Sequence, residues 1–380
     1  MPSLRPLHPP YRLLCGPGPA NLPPSVRAAL AKPLVGHLDA AFWEICAELV
    51  DLLGRVYRRR RGASFPVSAS GTSGLEAALA AVLEPGQTLV VAVAGFFGAR
   101  LVELGRRAGA RVVALEAPWG RVVPNERLLA EVARRPETAV VAVVHGETST
   151  GALHPIPELG RELLARDGPL LLADCVTTLG GSPLEPEAWG VDLCVSCSQK
   201  CLGAPPGMSP ISLSERAVER VRKRRTPVPF SLDLELLARY WLERPPLYHH
   251  TAPVLHVYAL HEALRLILVE GLEARWQRHA AAGAHLQREL RERGFELLAD
   301  PAAQLPQLTA VRIPDGVDGP AVQRRLLAGY GIEVGGGLGP DAPPMWRIGL
   351  MGENARPAVA DRILFALDQV LGRIPPTRRH

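Results

Sequence analysis

The sequence predicts an α/β fold: a large domain with a mostly parallel sheet sandwiched by helices, plus a smaller C-terminal α+β domain. Three observations carry this reading. Apolar, β-rich runs alternate with helix-like stretches from about residue 65 to 215, and the runs are apolar on both faces, as strands of a covered parallel sheet must be. The chain has 380 residues, more than one hydrophobic core usually organises. Beyond about residue 275 the texture changes to short, separated strands and helices.

Taken in order, the expected strands of the sheet cover residues 88–94, 111–115, 138–144, 169–173, 191–197 and 211–213. Helix-like stretches lie between them at 98–109, 125–134 and 156–166, and a strong helix former also occupies 75–82. A helical segment over 256–293 leads into the second unit. That unit reads as a strand at 308–313, a helix at 319–327, strands at 332–334 and 346–350, and a final helix at 356–371. The division expected is an N-terminal arm over 1–20, a large domain over 21–274 and a small domain over 275–380. No internal repeat is visible.

Composition narrows the function. Gly plus Pro (36 and 37 residues) stays below a low-complexity level. No run reaches the roughly 18 apolar residues of a membrane span, so the chain reads as soluble. The net charge of +5 comes from arginine, clustered at Arg58 to Arg61 and Arg222 to Arg225. A nucleic-acid surface would want interleaved aromatics or a recognisable module, and neither is present. The clusters read as solvated helix ends and loops. Six cysteines are too few to staple a chain of this length, which fits a reducing, intracellular compartment. Cys194, Cys197 and Cys201 have the spacing of a metal or iron–sulfur set, but Cys194 and Cys197 fall in or just after an apolar strand, where buried thiols are common. No metal site is expected. The N-terminus has no acid before Asp39 and carries Arg5 and Arg12, a weak presequence signal opposed by Pro2, Pro6, Pro9 and Pro10. The end, Arg378-Arg379-His380, departs from a peroxisomal Ser-Lys-Leu type of signal.

The most informative residue is Lys200, one of only three lysines (with Lys32 and Lys223) among 43 basic residues. It follows the apolar run Val191 to Val195, and a stronger run, Leu170 to Ala173, ends in Asp174. Functional residues of open α/β sheets gather at the carboxyl ends of strands. A lysine and a carboxylate so placed can hold pyridoxal phosphate, the amine binding the cofactor covalently and the carboxylate pairing with the pyridine nitrogen. Lys223 lies within Arg222-Lys223-Arg224-Arg225, where solvent is the natural environment, and Lys32 lies in a polar helix-to-turn context.

Ser68 to Gly74 precedes the helix former at 75–82, and small hydroxyl and glycine residues at a helix start expose N–H groups to an anion. A plain cap reads the same way on its own. Gly95-Phe96-Phe97-Gly98 follows another strand, where an aromatic can stack on a pyridine ring or simply fill the core.

With Gly16 to Asn21, His145 to Gly151, Ser198 to Gly207, Tyr248 to Thr251 and Arg347 to Leu350, the set becomes specific. These blocks, in register from about residue 12 to 371, resemble the alanine–glyoxylate (serine–pyruvate) aminotransferases of the class V, fold-type I pyridoxal-phosphate enzymes. The resemblance implies that Lys200 carries the cofactor, Asp174 keeps the pyridine nitrogen protonated, and Val176 and Phe97 pack its faces. It implies that Ser70, Gly71, Thr72 and Gln199 bind the phosphate and that Thr148 contacts the ring hydroxyl. Tyr248 and Thr251 would reach the phosphate of a neighbouring subunit, making the active unit a homodimer. Arg347 would take the substrate carboxylate, with Gly18 closing the site beside it. The family also suggests a peroxisomal or mitochondrial location. Animal members have tryptophan at the position of Phe97 and histidine at that of Thr72, so looser cofactor binding is expected here.

The implied reaction is ping-pong transamination of L-alanine, or L-serine, with glyoxylate. An arginine suits the carboxylate because its planar fork meets both oxygens. A desulfurase would need a mobile cysteine in the second half, but all six lie at or before Cys201. 3-Hydroxykynurenine transamination differs mainly in pocket size and stays open. A silent homologue would have lost Lys200, Asp174 or Arg347, and all are present. Adjacent His249 and His250 point opposite ways on an extended chain, which works against a metal pair.

Overall fold

The computed structural model describes residues 6–372. Its centre is a seven-stranded sheet with the spatial order Ala63–Val67, Ser209–Leu213, Leu193–Val195, Leu170–Asp174, Thr138–Val144, Thr88–Val93, Arg111–Glu116. Only Ser209–Leu213 runs against the others, pairing antiparallel with both neighbours. The remaining pairings are parallel. Thr138–Val144 and Leu170–Asp174 are buried throughout, which is why their side chains show no polar alternation. The fold class expected from the sequence is the one observed, and the strand runs agree within a few residues.

Of the central sheet, sequence reading missed one strand, at its edge. Ala63–Val67 contains Pro66, which faces Pro210 across the ladder. Proline cannot donate to a ladder and so demotes a run, yet an edge strand tolerates it. The helix Ala40–Val56 was also missed; Asp39 caps it, with Ala41 N–H donating to its carboxylate at 2.9 Å. The helical segment expected over 256–293 is two helices, Val254–Glu270 and Leu272–Glu292. Gly271, at φ 86°, turns the chain between them through a conformation that favours glycine.

One hydrophobic core runs from Val26 to Trp276 beneath the sheet's helices. A second gathers Ala282, Leu286 and Leu290 with the strands Leu308–Arg312 and Met345–Gly349 and the helix Pro357–Leu371. The helix Leu272–Glu292 therefore has one end in each core. Leu13 and Cys15 also join the second core, because the short strand Leu13–Leu14 pairs parallel with Ile332–Glu333. Asn21 and Asn354 lock this strap: the Asn354 amide donates to Leu14 O at 2.9 Å and to Asn21 Oδ1 at 2.7 Å. The chain segment 16–20 is thus carried over the end of the central sheet. Among the described residues no helix is long and apolar enough to cross a membrane. Arg5 and Arg378-Arg379-His380, read above for targeting, lie outside the described residues.

Candidate active site

Asp174 is the last residue of its strand and is 4% exposed. The Val176 N–H donates to its Oδ1 at 2.9 Å, and no basic side chain forms an ion pair with it among the described residues. Burial pushes its pKa up, to about 7; the buried Glu147 adds to the rise, while Arg100 and Lys200 oppose it. The neighbouring parallel strand, Leu193–Val195, leads within five residues to Lys200. Burial holds the Lys200 ammonium below its ordinary pKa, and Arg347 adds to this. Its Nζ donates to the carbonyl of Pro17. Arg275 anchors the turn from behind, donating to Cys201 O at 2.7 Å and to Gly180 O at 3.1 Å.

The helix Gly71–Val82 starts beside this pair. Ser70 is its N-cap, accepting from Ser73 N–H at 3.2 Å. A Cβ on Gly71 would lie 3.1 Å from Cys197 Cβ and 3.2 Å from Val176 Cγ2, so the helix start sits directly against the strand ends. Thr72 is exposed on the first turn and accepts from Arg100 Nη1 at 3.3 Å. Gln199 has a buried Oε1 with no partner among the described residues.

Phe97 lies in the first turn of the helix Phe96–Arg107, whose N-cap, Gly95, supplies no side chain. The rings of Phe96 and Phe97 meet edge to face at 5.6 Å, and the Arg100 guanidinium lies 5.0 Å from each centroid. Arg100 was not singled out in the sequence, although a basic residue one helical turn beyond Phe97 is the available signal.

Arg347 projects from the strand Met345–Gly349 and is 6% exposed. Its Nε donates to Gly336 O at 2.6 Å and its Nη1 to Thr148 O at 3.3 Å. Among the described residues no carboxylate forms an ion pair with it. Burial pulls its pKa down and Glu147 pulls it back up. Pro17 lies between Arg347 and Lys200: a Cβ on Gly335 would stand 2.5 Å from Pro17 Cδ and 3.6 Å from Arg347 Cβ. Gly18, at φ 105°, leaves no room for a side chain, since a Cβ there would come within 2.5 Å of Lys200 Nζ. Thr148 is buried, and Gly18, Lys200, Arg347, Asp174, Val176 and the Gly71 helix start converge at one end of the sheet.

Tyr248 and Thr251 stand apart from this cluster. Tyr248 is 58% exposed and Thr251 is exposed, whereas the two residues between them turn inward. His249 stacks on Phe230 at 4.5 Å, and His250 Nε2 lies 2.8 Å from Ser68 Oγ. The imidazoles are thus tied to their own chain and to each other: their Nδ1 atoms lie 2.9 Å apart, so the opposite directions expected of neighbours on an extended chain are not adopted here. Among the described residues no group of three or more His, Cys, Asp or Glu is arranged to hold a metal ion. The cysteine thiols are buried; Cys201 Sγ donates to Thr177 O at 3.0 Å, and burial raises its pKa to about 11 and that of Cys197 to about 12.

A parallel-sheet α/β fold with a carboxylate and a lysine on neighbouring strand ends is the architecture of fold-type I pyridoxal-phosphate enzymes. The chain belongs to the class-V aminotransferase family: the family profile, described as aminotransferase class-V, matches residues 67–356. A crystal structure of an alanine–glyoxylate aminotransferase from Nostoc sp. superposes with a TM-score of 0.93 at 48% identity, covering 97% of each chain. The alanine–glyoxylate aminotransferase of Oryctolagus cuniculus is 40% identical over 97% of this chain and 94% of its own. The (S)-ureidoglycine–glyoxylate transaminase of Bacillus subtilis is 36% identical over 98% of this chain and 94% of its own. The resemblance read from the sequence motifs therefore holds along nearly the whole chain.

Proposed function

We propose that this aminotransferase transfers the amino group of L-alanine to glyoxylate, giving pyruvate and glycine by a ping-pong scheme, with L-serine as a second donor. One observation carries the reading: Arg347 is a buried guanidinium without a carboxylate partner among the described residues, separated from Lys200 by the Pro17-Gly18 strap. A buried charge left unpaired is costly, so a guanidinium so placed suits an anion that comes and goes. The high identity to alanine–glyoxylate aminotransferases supports small substrates.

The residues present fit pyridoxal phosphate. Asp174 is a desolvated carboxylate that forms no ion pair among the described residues, suited to a protonated pyridine nitrogen. Ser70, Gly71, Thr72 and Gln199 would hold the phosphate at the helix start, where free N–H groups and the helix dipole favour an anion. Phe97 and Val176 would flank the ring and Thr148 would meet its hydroxyl. When bound, the cofactor supplies the electron sink that makes a substrate Cα–H acidic.

This chain's own groups do the rest. Arg347 grips the substrate carboxylate through its planar fork and fixes Cα toward Lys200. The Lys200 amine, its pKa lowered by burial, is a base that can take a proton from Cα and return it. The strap at Pro17-Gly18 closes over that amine and limits water. The outward-facing Tyr248 and Thr251 would complete the phosphate site of a second subunit, so the working form is a homodimer with shared sites.

The test is a donor comparison. Cofactor-loaded protein is given glyoxylate with L-alanine, L-serine, (S)-ureidoglycine or 3-hydroxykynurenine, and glycine formation is followed. The highest kcat/KM with L-alanine supports the reading. A tenfold preference for either larger donor overturns it.

A further inference from the structure

We propose that Glu147 is a positioning residue that sets the Phe97 ring platform and the Arg347 carboxylate receptor together, through the single turn Glu147-Thr148-Ser149. The inference rests on the proposed role of Arg347 in holding a substrate carboxylate.

Glu147 is 1% exposed, and no basic residue forms an ion pair with it among the described residues. A buried carboxylate needs hydrogen bonds, and these come from two segments, a helix start and the turn that carries Glu147 itself. Phe97 N–H and Gly98 N–H each donate to its Oε2 at 3.1 Å. Ser149 N–H donates to Oε1 at 3.0 Å, and the Ser149 hydroxyl donates to the same oxygen at 2.5 Å. The Ser149 oxygen in turn accepts from Phe96 N–H at 2.9 Å.

The first turn of a helix leaves its N–H groups without intrahelical partners. The helix Phe96–Arg107 has no capping side chain of its own at Gly95. Its first three N–H groups, at Phe96, Phe97 and Gly98, are all taken by Glu147 and Ser149 from a different segment. A negative charge at that end is also the sign the helix dipole favours. The fit leaves no space at residue 95, where a Cβ would meet Glu147 Cδ and Cγ at 2.9 Å. Thus the direction in which Phe97 leaves its helix depends on a cap borrowed from residues 147 and 149.

The residue between the two caps is Thr148, whose carbonyl accepts from Arg347 Nη1 at 3.3 Å. The same turn therefore touches the arginine on one side and the aromatic platform on the other. Changing the Glu147 carboxylate rearranges both. Glu147→Gln keeps the shape, but its amide group cannot accept from Ser149 N–H while its oxygen accepts from Phe97 and Gly98. Ser149→Ala removes only the Phe96 cap and one bond to Glu147.

The experiment uses cofactor-loaded Glu147→Gln and Ser149→Ala beside the unaltered protein. Steady-state KM and kcat are measured for L-alanine and for glyoxylate, and cofactor affinity by quenching of tryptophan fluorescence. Losing a hydrogen bond to a buried charge corresponds to about tenfold. For Glu147→Gln we expect KM to rise by about that factor for both substrates, in parallel because both use Arg347, and cofactor affinity to fall. kcat should change less than KM. Ser149→Ala should weaken cofactor affinity with a smaller KM change, and it serves if Glu147→Gln does not fold. Unchanged KM and cofactor affinity in a folded variant, or a lowered melting temperature as the only effect, would overturn the proposal. If the unaltered protein fails to use either substrate, the proposed function fails instead.

Discussion

The side-chain amine of Lys200 donates to the main-chain carbonyl of Pro17, linking the central sheet's carboxyl end to the N-terminal strap. The strap is itself held by the second core, because Cys15 O accepts from Gly349 N–H at 2.8 Å. The amine proposed to react is thereby placed by residues at both ends of the chain.

Gly18 is the sensitive point of that contact. In Gly18→Ala a methyl group would collide with the Lys200 side chain, and φ 105° would be strained in addition. We expect kcat to fall by about 10²-fold, the scale of a small misplacement of a reacting group. Lys200→Ala should abolish turnover. Steady-state assays of both variants check this, and near-normal rates would remove the strap or the lysine from the chemistry.

Asp174 makes stability depend on pH. Its pKa lies at about 7 in the fold against an ordinary value of 3.8. Its protonated form is favoured by folding, so this group's contribution is full below pH 3.8 and is lost as pH rises toward 7. Asp174→Asn removes that dependence. Without cofactor, the variant should gain stability relative to the unaltered protein between pH 4 and 7, as read from urea midpoints; parallel curves would contradict the burial argument. Turnover by the variant should be crippled.

Buried imidazoles act in the opposite sense. His279 accepts from Gly352 N–H at 3.1 Å through Nε2 and donates to Arg275 O at 2.8 Å through Nδ1, a neutral tautomer assigned from its partners. Burial lowers the pKa of His279 and His145 to about 3 and that of His154 to about 4. The unfolded chain binds these protons first, so their contribution is full above pH 6.5 and is lost on acidification. Burial and the neighbouring His249 also lower His250, to about 4, and these four groups outweigh the two buried acids that act the other way, Asp174 and Glu147, both raised by burial. We expect the unaltered protein to be less stable at pH 5 than at pH 7, measured by urea unfolding, and the reverse order would count against this.

Arg347→Ala should raise KM for L-alanine and glyoxylate together, by roughly 10- to 100-fold, as expected for losing a charge-assisted fork. Arg347→Lys should recover only part of this, since a point charge cannot meet both oxygens. Kinetics of the two variants decide it; an unaltered KM would take Arg347 out of the carboxylate site.

The central sheet was legible because a parallel, doubly covered strand must be apolar on both faces, and Leu170 to Ala173 or Thr138 to Val144 can be little else. Asp174 and Lys200 stood out as charges placed where such runs end. Ala63–Val67 was hidden by Pro66, and the break at Gly271 by helix formers on either side. Glu147 lay inside a motif that was recognised, yet no local pattern says which helix it caps, because the helix N–H groups it accepts from are 49 and 50 residues away. Its signal is a carboxylate set among small polar residues just beyond a strand that is apolar from Ala139 to Val144.

The most direct test of the whole account is the visible absorption spectrum of the cofactor-loaded protein, recorded before and after L-alanine and then after glyoxylate. We expect a yellow band that alanine bleaches and glyoxylate restores, one half-reaction after the other. A band unmoved by alanine, or no band even with added pyridoxal phosphate, would contradict it.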